Sequence, residues 1–178
     1  MSSIRTISRR RPGPRRVRGV VASAGVTACL VLLLGACSST PEIVSADLSE
    51  EDQQACEQLV DALPSTLNDL EQVDVEPADA LGAAWGDPAI VLTCGVTLPE
   101  DYDAFSTCDD VNGVGWFAPP DSLEEDAQDE EVIVTAVSYR PLIQLAVPAD
   151  YRPDGVSAAL TDLTDAVKST LRLEQPCI

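Results

Sequence analysis

The chain has 178 residues with 30 carboxylates, 11 Lys or Arg and no histidine, for a formal charge of −19, and the missing histidine excludes triad hydrolases and histidine-ligated metal enzymes. Seven of the cations are arginines in the first 18 positions, ahead of every acid, which leaves Arg140, Arg152, Lys168 and Arg172 against all thirty carboxylates, a balance of −26. A body this acidic repels polyanions, whose binding depends on basic side chains displacing counterions, so no nucleic-acid partner is expected.

The basic start is followed by Gly19 to Leu34, an apolar run without a charge that is too short to span a bilayer comfortably and reads as the h-region of an export signal. Ser8-Arg9-Arg10 offers a twin-arginine route, but Arg11-Pro12-Gly13 follows where that route needs hydrophobic residues. Leu34-Gly35-Ala36-Cys37 resembles the lipobox of bacterial lipoproteins: an aliphatic residue, two small residues for a narrow peptidase cleft, then a thiol to accept diacylglycerol. Residues 1–36 are therefore expected to be a lipoprotein signal peptide cleaved between Ala36 and Cys37. Residues 37–47 form a lipidated tether, and residues 48–178 a single envelope domain. Two acyl chains on Cys37 anchor stably in a bilayer where one would not, so the lipid bilayer is the first expected partner and the outer face of the cell membrane the expected location.

Ser49-Glu50-Glu51-Asp52 is a helix start, with a serine cap and acids facing the positive end of the helix dipole. Ala55, Cys56, Leu59, Val60 and Leu63 recur at helical spacing until Pro64, which predicts about 13 residues of helix. Ala89 to Val96 is β-rich and apolar on both faces, as a central strand is. Asn112-Gly113 predicts a tight turn into a strand at Val114 to Phe117. Glu131 to Tyr139 and Leu142 to Val147 are further strands joined through Arg140-Pro141. From Asp154 or Ser157 a second helix carries Val156, Leu160, Leu163, Val167 and Leu171 on one stripe. The expected fold is α+β: a small antiparallel sheet of three to five strands covered by an N-terminal and a C-terminal helix.

An exported domain keeps its cysteines oxidised. Cys108 follows Cys94 closely enough for the two to meet across neighbouring strands, whereas Cys56 lies in the first helix and Cys177 just beyond the last. The expected disulfides are Cys94–Cys108 and Cys56–Cys177.

Ala84-Trp85-Gly86-Asp87-Pro88-Ala89-Ile90, continued by Val91-Leu92-Thr93-Cys94-Gly95-Val96, resembles an uncharacterised family of actinobacterial lipoproteins, a domain of unknown function. The likeness extends through Asn112 to Trp116, Tyr139-Arg140-Pro141 and Leu145 to Pro148. The resemblance implies a cell-envelope location and brings no activity.

Four residues are candidates for a ligand or partner surface: Trp85 and Asp87 in the turn before the central strand, Trp116, and Arg140 as a rare cation. Three of them have a structural counter-reading, a plug for Trp85, a turn for Asp87-Pro88 and an internal ion pair for Arg140. The acidic run Asp121 to Glu131 reads as a solvated loop. Cys108 to Gly113 fails the EF-hand pattern at its first position and, at Pro119, its last. No catalytic residue, cofactor motif or metal-ligand spacing is read. The expected function is a non-catalytic binding or interaction module of the envelope, with an envelope protein or wall component as partner. The alternatives are a carboxylate-dependent hydrolase of wall polysaccharide and a small-ligand or cation receptor.

Overall fold

The computed structural model describes residues 39–103 and 105–176. The expected leader, the Ala36–Cys37 cleavage point and Cys177 lie outside the described residues. Helix α1 (Glu50–Ala62) starts where local chemistry places it: the Ser49 hydroxyl accepts from the Asp52 N–H at 3.1 Å, and Glu50, Glu51 and Asp52 occupy the first turn. Helix α2 (Asp154–Thr170) buries Leu160, Leu163 and Val167 on the expected stripe. No helix among the described residues is long and apolar enough to cross a membrane.

The sheet is larger than the three to five strands expected. Eight strands, β1 (Thr66–Leu67), β2 (Leu70–Val73), β3 (Gly82–Trp85), β4 (Ile90–Cys94), β5 (Asp109–Val111), β6 (Val114–Phe117), β7 (Val132–Ala136) and β9 (Ile143–Val147), form one antiparallel sheet in the order β1-β2-β3-β4-β9-β7-β6-β5. The remaining two, β8 (Tyr139–Arg140) and β10 (Arg172–Leu173), pair separately. The strands that sequence reading lacks are those whose side chains do not ask for extended chain. β3 reads Gly-Ala-Ala-Trp, β2 carries an exposed Glu-Gln-Val, and β5 begins with two aspartates. They are strands because a neighbour offers each a ladder to complete, β4 to β3, β3 to β2 and β6 to β5, a tertiary cause that outweighs propensity. The Asn112-Gly113 turn behaves as predicted: φ is 54° and 90° at its two residues, the geometry that lets a two-residue loop follow the sheet twist.

One face of the sheet carries the core. Ile90, Leu92 and Cys94 of β4 alternate inward beside Ile143, Leu145 and Val147 of β9 and Val132, Val134 and Ala136 of β7, and all join the buried cluster that holds Leu59, Leu160 and Leu163 of the helices. On the opposite face, register places Val73, Ala84, Val91, Ala146 and Ile133 in one row across five strands. Ile133 in that row is 41% exposed.

The segment ahead of α1 is docked rather than free. The Ile43 N–H donates to the Glu76 carbonyl at 2.9 Å, the Glu76 N–H donates back to Pro41 at 2.9 Å, and the Ala46 N–H donates to Gly95 at 2.7 Å. Ile43 is buried, with its Cδ1 against Gly82. Residues 41–46, expected to belong to the tether, form a strap along β3 and β4.

The disulfide pairing also differs from expectation. Cys56 of α1 is bonded to Cys94 of β4, with Cα atoms 5.6 Å apart. β5, which Cys108 precedes, lies four strand positions from β4 across β9, β7 and β6, roughly 19 Å at the usual inter-strand spacing. Cys94 and Cys108 therefore cannot meet. Cys108 is itself disulfide-bonded.

Candidate functional site

The four candidate surface residues separate in space. Trp85 is fully buried, and its indole N–H donates to the Pro64 carbonyl at 2.9 Å, locking the end of α1 to β3. Asp87 sits exposed in the turn after Gly86, whose φ of 82° requires glycine. Tyr151, just before α2, reaches that turn, its hydroxyl donating to the Pro88 carbonyl at 2.8 Å. Burial, with the Asp150 and Asp87 carboxylates nearby, raises the Tyr151 phenol above its ordinary pKa. Arg140 is spent internally: its Nε meets the Glu174 carboxylate at 2.7 Å and its Nη1 donates to the Val137 and Tyr139 carbonyls, both at 2.9 Å.

Asp87 and Arg140 line hollows beside the 39–40 and 102–108 segments, and Trp116 lines a separate, mainly apolar cleft. β6 places it between Asp109 of β5 and Ala136 of β7, its side chain facing the core. The cleft, of about 370 Å³, is bounded by β5, β6 and β7, by the 118–128 segment and by the start of α2. This falls in the size range of small-molecule sites. Its walls are mainly apolar, from Val111, Leu123, Val132, Val134, Val156 and Leu160. Asp109, Gln128, Arg152 and Ser157 supply the polar contribution beside Trp116, and Asp109 is the single carboxylate.

Two donors in this cleft's lining are buried without an acceptor, the Trp116 Nε1–H and the Arg152 Nε–H. Buried N–H groups are paired in the great majority of cases, because an unmade bond leaves the desolvation cost uncompensated. The other guanidinium nitrogens of Arg152 are occupied: Nη2 donates to the Ser122 carbonyl at 2.6 Å, and Nη1 to Ala127 at 2.7 Å and Glu130 at 2.8 Å. Arg152 thereby folds the acidic run into two 3-10 turns, Pro120–Leu123 and Glu125–Ala127, and makes it one wall of the cleft, with its carboxylates left exposed. Sequence reading could not find this role. Arg152 binds backbone carbonyls, and no pattern of side chains announces that.

Among the described residues no group of three or more His, Cys, Asp or Glu is arranged to hold a metal ion. Asp110 serves the turn, its Oδ1 accepting the Gly113 N–H at 2.9 Å.

A family model described as a protein of unknown function (DUF3515) matches residues 17–176. No curated protein and no solved structure matches the chain.

Proposed function

Because the chain belongs to the DUF3515 family of proteins of unknown function, which brings no activity with it, we propose a function from the chain's own features: a lipid-anchored, extracytoplasmic binding module whose ligand site is the cleft beside Trp116 and Arg152. The observation that carries the binding role is the mainly apolar cleft of about 370 Å³ that brings Trp116, Gln128 and Arg152 together from separate segments. A glycosidase would need two carboxylates flanking its substrate. With Asp109 alone among the cleft's lining residues, binding is the better reading.

The basic start, the apolar run and Leu34-Gly35-Ala36-Cys37 support the anchor and the actinobacterial lipoprotein likeness. The strap supports a short connection. Its first hydrogen bond to the domain is at Pro41, so only residues 38–40 separate an acylated Cys37 from docked chain, roughly 10 Å fully extended. The domain is then held against the outer leaflet by its Pro41 end.

Expression of the full chain in a lipoprotein-processing bacterium tests this. Wild type partitions into the detergent phase and Cys37→Ala does not. Native mass spectrometry of the membrane-extracted protein shows a retained small molecule that Trp116→Phe loses. Detergent partitioning of Cys37→Ala after signal removal would refute the anchor, and a ligand-free wild type would refute the binding role.

A further inference from the structure

We infer that Cys108 is bonded to Cys177, and that this second disulfide is a clasp on the C-terminal segment that a dithiol opens while the fold stays intact.

Cys108 is disulfide-bonded, and the chain has six cysteines. Cys56 and Cys94 hold each other, which rules out the expected Cys56–Cys177 bond and leaves Cys29, Cys37 and Cys177 as partners, all outside the described residues. Cys29 lies in the apolar run of the leader, and the reading of residues 1–36 as a cleaved signal removes it. Cys37 is too far away. Ser39, two residues on, lines a hollow with Val73, Gly86 and Asp87 at the end of β2 and β3. Cys108 immediately precedes β5, which lies five strand positions from β3, roughly 24 Å along the sheet. Two peptide steps and one disulfide reach only about 14 Å.

The described chain leads to Cys177 instead. Two residues after Cys108, Asp110 of β5 pairs with Gly115 of β6, and the Gly115 N–H donates to the Ser138 hydroxyl at 2.7 Å. The Ser138 carbonyl accepts the Glu174 N–H at 2.9 Å and the Gln175 N–H at 3.3 Å. With β10 paired to β8 and Arg140 ion-paired to Glu174, the C-terminal segment is fixed on this side of the sheet. Pro176 then lines the same hollow as Cys108, together with Tyr102, Arg140 and Glu174. Cys177 is the next residue, about 3.8 Å further along the chain.

The two disulfides differ in access. Cys56 and Cys94 are fully buried, whereas Cys108 is half-buried beside that hollow. Exchange requires a thiolate to reach a sulfur, so the clasp opens first. One thiolate of a dithiol attacks a clasp sulfur, forming a mixed disulfide and releasing one cysteine thiolate. The second displaces the other cysteine, and the reagent leaves as a cyclic disulfide. Two electrons pass to the clasp, and each released cysteine takes up a proton. The segment is then held only by its contacts to β8, Ser138 and Arg140.

The test is peptide mapping of the unreduced, membrane-extracted protein, which is expected to recover a Cys108–Cys177 link beside Cys56–Cys94. The Cys37→Ala chain is expected to keep that link, so failure of the lipid anchor and failure of this inference are told apart. Brief dithiothreitol treatment under native conditions, followed by alkylation, is expected to label Cys108 and Cys177, with Cys56 and Cys94 labelled only after denaturant is added. Cys177→Ser is expected to expose Cys108 to alkylation without reductant. A Cys108 link to Cys29, to Cys37 or to a second chain, or alkylation of wild-type Cys108 without reductant, overturns the pairing. Labelling of Cys56 and Cys94 as fast as Cys108 overturns the selective opening.

Discussion

Cys56 and Cys94 are joined by a disulfide that fastens the middle of α1 to the last residue of β4, with both cysteines fully buried. The bond closes a sequence separation of 38 residues, so the loop-closure estimate makes it worth about 4 kcal/mol. The Cys56→Ala/Cys94→Ala double variant is expected to lose up to that amount in denaturant unfolding. Peptide mapping of the unreduced protein should recover a Cys56–Cys94 link. A Cys94–Cys108 link would contradict the strand order itself, because β5 and β4 are far apart in the sheet.

Gly82 is required for close approach. A Cβ at this position in β3 would fall against the Leu92 carbonyl oxygen of β4 and within 3.0 Å of Ile43 Cδ1 in the strap. Backbone cannot yield as a side-chain tip does, so Gly82→Ala is expected to destabilise by about 1–3 kcal/mol. A shorter strap that frees Ile43 should not rescue it, because the carbonyl clash remains. Thermal unfolding of both variants measures this.

The two faces of the sheet should respond unequally to truncation. Leu145 points into the helix-covered core and is fully buried, while Ile133 lies 41% exposed on the opposite face. Leu145→Ala is expected to cost about 2–5 kcal/mol, and Ile133→Ala under ~1 kcal/mol. Equal losses in denaturant titrations would show that the second face is covered.

Tyr151 gives a pH test. Its folded pKa is raised, chiefly by burial and then by Asp150 and Asp87, so the neutral phenol is the form the fold prefers. The contribution is complete below the unfolded value of about 10 and is lost as pH rises through the higher folded value. Tyrosinate cannot donate to the Pro88 carbonyl. Ultraviolet titration should show a late tyrosine ionisation that Tyr151→Phe removes, and the same variant should flatten the alkaline loss of stability.

Much of this molecule is written locally. The start of α1 at Ser49, the stripe of α2, the Asn112-Gly113 turn and the four inner strands β4, β6, β7 and β9 follow from capping, periodicity and β-branched runs, which act within a few residues and need no knowledge of the rest of the chain. Oxidised cysteines are what a sequence read as exported leads one to expect, and Cys56, Cys94 and Cys108 are all disulfide-bonded.

Which cysteines meet was decided by the strand order, since chain neighbours such as Cys94 and Cys108 are placed on opposite sides of three intervening strands. The extra strands β2, β3 and β5 exist because an adjacent ladder completes their hydrogen bonds against weak or contrary side-chain preference. The cleft is tertiary in the same sense: Trp116, Arg152 and Val156 come from separate segments, and Arg152 acts there by gathering the carbonyls of Ser122, Ala127 and Glu130. Backbone acceptors are the same in every residue, so a contact made to them leaves no trace in the side-chain sequence until the chain has folded.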